Sequence, residues 1–135
     1  MPEPLTDAEL AFLTSLFDAA RDGDTDALLA AVDAGVPVNL TNSSGDSLLI
    51  LASYHVHAPA VTGLLERGAD TERVNDRGQT ALGAATFRRS AEIVTALLDA
   101  GANPHGGGRT AVEVATFFEL PDMLALLVSD PGPVA

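Results

Sequence analysis

GDSLLILASYHVHAPAVTGLLERGAD, at residues 45–70, recurs 33 residues later as GQTALGAATFRRSAEIVTALLDAGAN, at residues 78–103. The two copies share a first glycine, a central alanine, a leucine pair and a glycine near the end. A third copy begins at Gly108, and an earlier partial copy places Gly35 33 residues before Gly68. Self-similarity at such a period predicts a stack of repeated structural units.

Each copy contains two short runs of apolar residues at helical spacing, so each predicts a pair of amphipathic helices. The side chains that precede the first helix are N-cap types: Ser47, Thr80 and Thr110. Two prolines fall in the first turn of the second helix, Pro59 and Pro121. Glycines then end that helix in a left-handed conformation: Gly35, Gly68 and Gly101.

A 33-residue helix-turn-helix unit that ends in GAD or GAN and continues into a finger ending in G-x-T resembles the ankyrin repeat. The resemblance covers about residues 16–128. It implies an all-α solenoid of stacked, L-shaped units, with short β-turn fingers along one edge. The family's T-P-L-H motif departs here to SLLI, TALG and TAVE, starting at Ser47, Thr80 and Thr110.

The glycine that the family places after the first helix is replaced in three copies, by Val56, Arg89 and Glu119. A left-handed conformation at these positions would cost about 1 kcal/mol each. The replacements therefore leave open whether these turns are as tight as those of the family, without affecting the expected fold.

We expect one domain over residues 1–135. Its divisions are an N-terminal helix and capping repeat at 1–40, repeats at 41–73 and 74–105, a C-terminal capping repeat at 106–129, and a tail at 130–135. Thr6 and Glu9 have capping-box spacing, which predicts the start of an extended first helix. The apolar face of that helix is expected to shield the open end of the stack: Leu10, Leu13, Phe17 and Ala20.

Composition limits the function. The chain has no cysteine and no lysine, and its net charge is −12. This charge opposes binding to nucleic acid or to an anionic membrane, and no apolar run approaches the roughly 20 residues that span a bilayer. We expect a cytoplasmic, bacterial, monomeric protein that binds another protein as an adaptor or inhibitor.

No catalytic pattern is evident. No serine lies in a G-x-S-x-G elbow, so the sequence predicts that the protein is not an enzyme and needs no cofactor. His55 and His57 are the best metal candidates, but two residues apart on a helix they do not share a face, and we expect no metal site. The resemblance gives His57 a structural role.

The resemblance also implies where a partner binds, on the fingertips and the concave side of the first helices. Equivalent positions in three copies hold aromatic residues: Tyr54, Phe87 and Phe117. Neighbouring candidates are His55, Arg77, Gln79, Arg88, Arg109 and Phe118. Aromatic residues beside arginine are typical of interface hot spots, and the arginines favour an acidic partner segment. The alternative is that the rings turn inward to fill the core.

Arginine is concentrated near these positions. Five of the seven basic residues lie in one window, at Arg73, Arg77, Arg88, Arg89 and Arg109. The same window holds three acids, Asp76, Glu92 and Asp99. Such charge asymmetry can mark a surface that faces a partner.

Two other functions remain open. The turn HGGGRT, at residues 105–110, could bind phosphate or a small ligand, because glycine-rich turns before helices expose backbone N–H groups. In register, Gly108 is instead the repeat's turn glycine and Thr110 its helix cap, and this finger is three residues shorter than the preceding one. The protein could also be a structural accessory to another enzyme.

Overall fold

The computed structural model describes residues 5–128. Within that range the chain forms eight helices: α1 (Asp7–Asp22), α2 (Thr25–Asp33), α3 (Leu48–Tyr54), α4 (Ala58–Glu66), α5 (Ala81–Phe87), α6 (Ala91–Asp99), α7 (Ala111–Phe117) and α8 (Pro121–Val128). The β-structure recorded there is one isolated antiparallel bridge, between Thr41 and Ser47. The predicted all-α class is confirmed.

The helices pack in two rows. The inner row runs α1, α3, α5, α7, and the outer row runs α2, α4, α6, α8, with each inner helix also packed against the outer helix that follows it. Leucine, isoleucine, valine and alanine side chains fill the space between the rows. Each unit therefore buries its apolar stripes against its neighbours, as a repeat solenoid does.

The predicted caps form. Ser47, Thr80 and Thr110 each precede an inner helix, and their side-chain oxygens accept hydrogen bonds from backbone N–H groups in the first turn. Thr6 and Glu9 make the reciprocal capping box that starts α1. These bonds satisfy donors that have no partner inside the helix.

The fingers lie along one edge of the stack, at residues 40–47, 73–80 and 103–110. Asn42 Oδ1 accepts hydrogen bonds from the backbone N–H groups of Ser44 and Asp46 and so closes the first finger. Successive fingers are joined by backbone hydrogen bonds of 3.0 Å: Asp76 N to Ser44 O, and Arg109 N to Gly78 O. We call this side of the stack the finger edge.

One glycine assignment is wrong by a single residue. Gly45 and Gly78 have φ angles of 77° and 79°, but in the third finger the left-handed residue is Gly107, at 85°, and not Gly108. Gly108 instead lies against Gly78, where a Cβ atom would meet the Gly78 Cα at 3.5 Å. The shortened finger moves its tight turn one position earlier.

The opposite side, which we call the turn edge, holds the turns between inner and outer helices. Val56, Arg89 and Glu119 adopt φ angles of 63°, 60° and 53° there, so these turns keep the left-handed conformation without glycine. Gly23 fills the equivalent position after α1, with a φ of 81°. Three of the four turns thus have a residue with a side chain in a left-handed conformation, which strains the backbone, whereas glycine adopts it without strain.

The first helix covers the stack only with its second half. Phe17 and Ala20 are buried, as expected, but Leu10 remains 49% exposed. The reason is length: α1 has 16 residues and α3 has 7, so the first turns of α1 extend past the helix that they would cover. The final boundary at residue 129 and the tail at 130–135 lie outside the described residues.

Candidate protein-binding groove

The three equivalent aromatic residues lie at the ends of consecutive inner helices. Tyr54 ends α3, Phe87 ends α5 and Phe117 ends α7. Their exposed fractions are 36%, 43% and 79%, so the alternative that they fill the core fails. Because the inner helices stack side by side, the helix ends bring these rings to one surface at the turn edge.

The rings form a continuous row, although its order differs from the sequence register. The Tyr54 and Phe87 rings are nearly parallel, at 9°, with centroids 6.3 Å apart. Phe87 next contacts Phe118, edge to face at 5.2 Å, and Phe118 contacts Phe117 at 4.9 Å. Phe118 therefore continues the row in place of Phe117, which lies at its outer end. We call these four residues the aromatic strip.

Cationic groups border the aromatic strip. The Arg88 guanidinium lies 5.3 Å from the centroid of the Tyr54 ring, which is a cation–π distance. The His55 ring meets the same tyrosine edge to face, at 5.2 Å. Partial burial lowers the pKa of His55, and the nearby His57, Arg21 and Arg88 lower it further. The arginines therefore contribute a positive potential to this part of the turn edge, which Asp22 partly offsets.

A cleft of about 440 Å³ runs from the aromatic strip to the fingers. It contains most of the predicted binding residues: Tyr54, His55, Arg77, Gln79, Phe87, Arg109 and Phe118. Arg88 and Phe117 are not among its lining residues; Arg88 lies over Tyr54, and Phe117 is beyond Phe118. The floor is formed by Ile50, Leu51, Gly83, Ala84 and Val114. We call this cleft the groove.

In the described part of the chain, most arginines in or beside the groove lack a carboxylate partner, although Arg21 pairs with Asp18. Arg77, Arg88 and Arg109 make no ion pair within residues 5–128. Asp46 is the carboxylate among the lining residues, and its Oδ1 already accepts a 2.8 Å hydrogen bond from Asn75. A protein with a net charge of −12 thus places, in or beside one cleft, three arginines that have no ion pair among its described residues.

Sequence reasoning missed the residue that holds the finger side of the groove. Asn75 is buried, its Oδ1 accepts from the N–H groups of Arg77 and Gln79, and its Nδ2 donates to Asp46 and to Gln79 Oε1. Gln79 therefore has a structural role in addition to its place in the groove. The available signal was the pattern N-x-x-G, which recurs at Asn42 and Asn75 with the period of the repeat.

Arg21 of α1 also lines the groove and was not predicted. It shares one stripe of α1 with Leu10, Thr14 and Phe17, at the spacing of neighbouring turns. The backbone oxygen of Arg21 accepts a 2.6 Å hydrogen bond from His57 Nε2. His57 therefore has the structural role that was expected, and it ties α1 to the first turn of the turn edge.

The two donors of the glycine-rich turn nearest to α7 already have acceptors. Arg109 N donates to Gly78, and Thr110 N donates to Glu113 Oε1 at 3.1 Å. The backbone and side-chain hydrogen bonds of Thr110 lower the pKa of Glu113, so its carboxylate is charged at neutral pH. A negative group of the protein itself thus occupies the start of α7.

The described part of the chain contains neither a cluster of metal ligands nor a membrane-spanning helix. No group of three or more histidine, cysteine, aspartate or glutamate residues could hold a metal ion there. None of the helices between residues 5 and 128 is both long and apolar enough to cross a membrane.

Stacked helix pairs with hydrogen-bonded fingers and a lateral groove define a helical repeat solenoid. The family model for ankyrin repeats (three copies) matches residues 16–107 and 60–133, and the chain belongs to this family. The resemblance inferred from the repeat is thereby confirmed. Ankyrin repeats are generally protein–protein interaction modules and typically non-enzymatic scaffolds.

Two similar proteins support this assignment. A curated ankyrin repeat protein of Pseudomonas aeruginosa is 49% identical over 61 residues, which cover 44% of this chain and 36% of that protein. The crystal structure of the human ASB11 ankyrin repeat domain matches with a TM-score of 0.77 and 29% identity, over 86% of this chain and 53% of that chain. The chain thus spans roughly half or less of the length of these relatives.

Proposed function

We propose that the protein is a non-enzymatic adaptor or inhibitor whose groove binds an acidic segment of another protein. The single observation that carries the proposal is the coincidence of unpaired arginines and exposed aromatic rings around one cleft. The same proposal includes a monomer in dilute solution, a cytoplasmic location, which the cysteine-free composition favours, and no cofactor.

The aromatic strip supplies the apolar part of this surface. Its rings are held by one another and by the ends of short helices, so they lose little side-chain entropy when a partner covers them. Exposed aromatic residues that are already ordered are the usual centres of binding energy at protein interfaces. Phe87, in contact with both Tyr54 and Phe118, is the central ring of the row.

The arginines supply charge selectivity. Arg77 and Arg109 lie on the finger side and Arg88 on the turn edge, so a segment in the groove would meet positive charge along both sides. Opposite charge at an interface accelerates association and disfavours partners of the same sign. The expected partner therefore carries aspartate or glutamate together with apolar residues.

The phosphate alternative has less support. Glu113 occupies the helix start that an anion would need, and the N–H groups of Arg109 and Thr110 already have acceptors. The α7 helix also has only 7 residues. A role as accessory to another enzyme is a special case of the adaptor proposal, because it uses the same groove with an enzyme as the partner.

A displayed library of random 12-residue peptides tests the proposal. The wild-type protein should select peptides enriched in acidic and apolar residues, and the double substitution Phe87→Ala with Arg88→Ala should weaken their binding at least tenfold. Circular dichroism should show unchanged helical content, because both side chains are exposed at a helix end.

Val74→Ala is the matched control, since Val74 is an exposed apolar residue that does not line the groove. It should bind the selected peptides as the wild type does. Selected peptides without an excess of acid, or equal binding by the double variant, would show that the groove is not the binding site.

A further inference from the structure

Exposed large apolar side chains concentrate in two places on this molecule. One is the aromatic strip with the adjoining Val56. The other is the beginning of α1 with the two residues before it, where Leu5, Leu10 and Phe12 are each about half exposed. We call residues 5–15 the arm. Surfaces of this kind commonly mark interaction sites.

The two surfaces carry opposite charge. The arm contains Asp7 and Glu9 and no basic residue. The groove and aromatic strip present Arg77, Arg88 and Arg109 without ion pairs in the described chain. The arm therefore combines exposed apolar groups with negative charge, and the groove with its aromatic strip combines them with positive charge. The arm thus has the acidic and apolar chemistry that we propose for a partner segment of the groove.

From this pairing we infer that the arm of one copy docks in the groove of a second copy. The inference rests on the proposed function, because it uses the same groove and names a segment that fits it. Self-association then competes with other partners for the groove, so that binding capacity falls as the protein becomes concentrated.

The arm cannot reach the groove of its own chain. It continues directly into the second half of α1, whose Leu16, Phe17 and Ala20 are buried in the stack. The 2.6 Å hydrogen bond from His57 to Arg21 O fixes the other end of the same helix. A rigid helix anchored in this way can present its arm only to another molecule.

The dimensions of the two surfaces agree. The nine helical residues of the arm, 7–15, span about 13 Å at 1.5 Å per residue. Three neighbouring inner helices, α3, α5 and α7, are spaced at about 8–10 Å and span about 20 Å. The arm can therefore lie along the groove, where Leu10 and Phe12, which are two residues apart on the helix, contact different walls of the groove.

The contact is heterologous, because different surfaces of the two copies meet. Such a contact leaves one arm and one groove free on every dimer, so association continues into larger species unless a ring closes. The net charge of −12 on each copy opposes this growth. We expect association to be weak and to appear only at high protein concentration.

Sedimentation velocity with complementary variants tests the inference. The arm variant carries Leu10→Ala and Phe12→Ala, which keep the helix because alanine favours it. The groove variant carries Phe87→Ala and Arg88→Ala. The weight-average mass of the wild type should rise between 10 μM and 1 mM, whereas each variant alone should stay at 13.8 kDa. An equimolar mixture should form dimers of twice that mass and nothing larger.

The mixture identifies the pairing of surfaces. If only the arm variant stays monomeric, arms pair with arms; if only the groove variant does, grooves pair with grooves; either result overturns the inference. A wild type that remains monomeric at 1 mM, or a mixture without dimers, also overturns it. Val74→Ala, the control, should associate as the wild type does.

The peptides selected by the wild-type groove separate this inference from the proposed function. They should bind the arm variant unchanged, because its groove is intact, and should dissolve wild-type assemblies. If the peptides bind the groove but the protein does not self-associate, the inference falls and the proposed function stands. If no peptide binds the groove, the proposed function falls.

Discussion

The finger edge and the turn edge of this solenoid follow different rules at their left-handed residues. At the finger edge those positions are all glycines: Gly35, Gly45, Gly68, Gly78, Gly101 and Gly107. At the turn edge three of four are larger residues, Val56, Arg89 and Glu119. The finger edge therefore avoids the backbone strain that a side chain causes in the left-handed conformation, whereas three successive turns at the turn edge retain that strain.

The same division holds for polar and apolar groups. The finger edge joins its loops through Asn42, Asn75 and backbone hydrogen bonds between fingers. The turn edge exposes four phenylalanine and tyrosine rings beside cationic groups. Strain and exposed apolar surface persist in proteins mainly where they serve a function other than stability. The contrast supports the proposal that the turn edge serves binding, while the finger edge maintains the fold.

Removing Asn75 should cause the largest effect. Asn75→Ala leaves the N–H groups of Arg77 and Gln79 and the Asp46 carboxylate without their shared partner. Each buried group that loses its hydrogen bond costs about 1–3 kcal/mol, so we expect a loss of about 2–4 kcal/mol in the free energy of unfolding. Urea denaturation measures it.

Asn42→Ala is the matched control, because Asn42 closes the first finger with two hydrogen bonds but does not reach the preceding unit. It should cost about half as much. Equal costs for the two substitutions would mean that the link from Asn75 to Asp46 adds nothing to the finger edge.

Adding a methyl group at the finger edge should cost less. A Cβ atom at Gly68 would meet nothing within 4 Å, so Gly68→Ala tests the backbone conformation alone, at a φ of 83°. We expect a loss of about 1 kcal/mol in unfolding free energy. An unchanged stability would show that the finger edge does not depend on glycine for its left-handed residues.

The reverse change at the turn edge should stabilise the protein. Val56→Gly removes a β-branched side chain from a φ of 63°, which relieves about 1–2 kcal/mol, while the flexibility of glycine in the unfolded chain returns about half of that. Thermal and urea denaturation should show a net gain of about 0.5–1 kcal/mol. Val74→Gly, away from the inter-helix turns, should show no such gain.

Sequence reasoning identified the period, the caps and the positions of the turns because each follows from local backbone chemistry. Thr80, for example, caps the start of α5, and Gly101 adopts a left-handed conformation after α6; both roles follow from the residue type and its place beside a helix. It did not assign Phe118 to the aromatic strip or Gly107 to the third turn. Those placements depend on how neighbouring units meet, which the pattern of one repeat does not contain. Asn75 was missed because its partners belong to two different fingers.

The smallest expected effect is the dependence of stability on pH. One side chain at each edge has a lowered pKa, but the physical causes of the two shifts are opposite. At the finger edge, Thr110 hydrogen bonds favour the charged form of Glu113 and lower its pKa from the ordinary 4.5. At the turn edge, burial and the nearby His57, Arg21 and Arg88 disfavour the charged form of His55 and lower its pKa from the ordinary 6.5, against an opposing effect of Asp22.

Both shifts remove stability as the pH falls. As the pH falls below 6.5, His55 is protonated in the unfolded chain before it is protonated in the folded chain, so the stability begins to decline. The stabilising contribution of Glu113 is complete above pH 4.5 and is lost as the pH falls further. NMR titration of the two side chains and urea denaturation between pH 8 and 3 measure these steps. His55→Gln should remove the contribution of His55 to the loss of stability below pH 6.5 and leave the loss below pH 4.5 unchanged. A His55 pKa at or above 6.5 in the wild type would contradict the positive potential assigned to the turn edge, and with it the charge selectivity proposed for the groove.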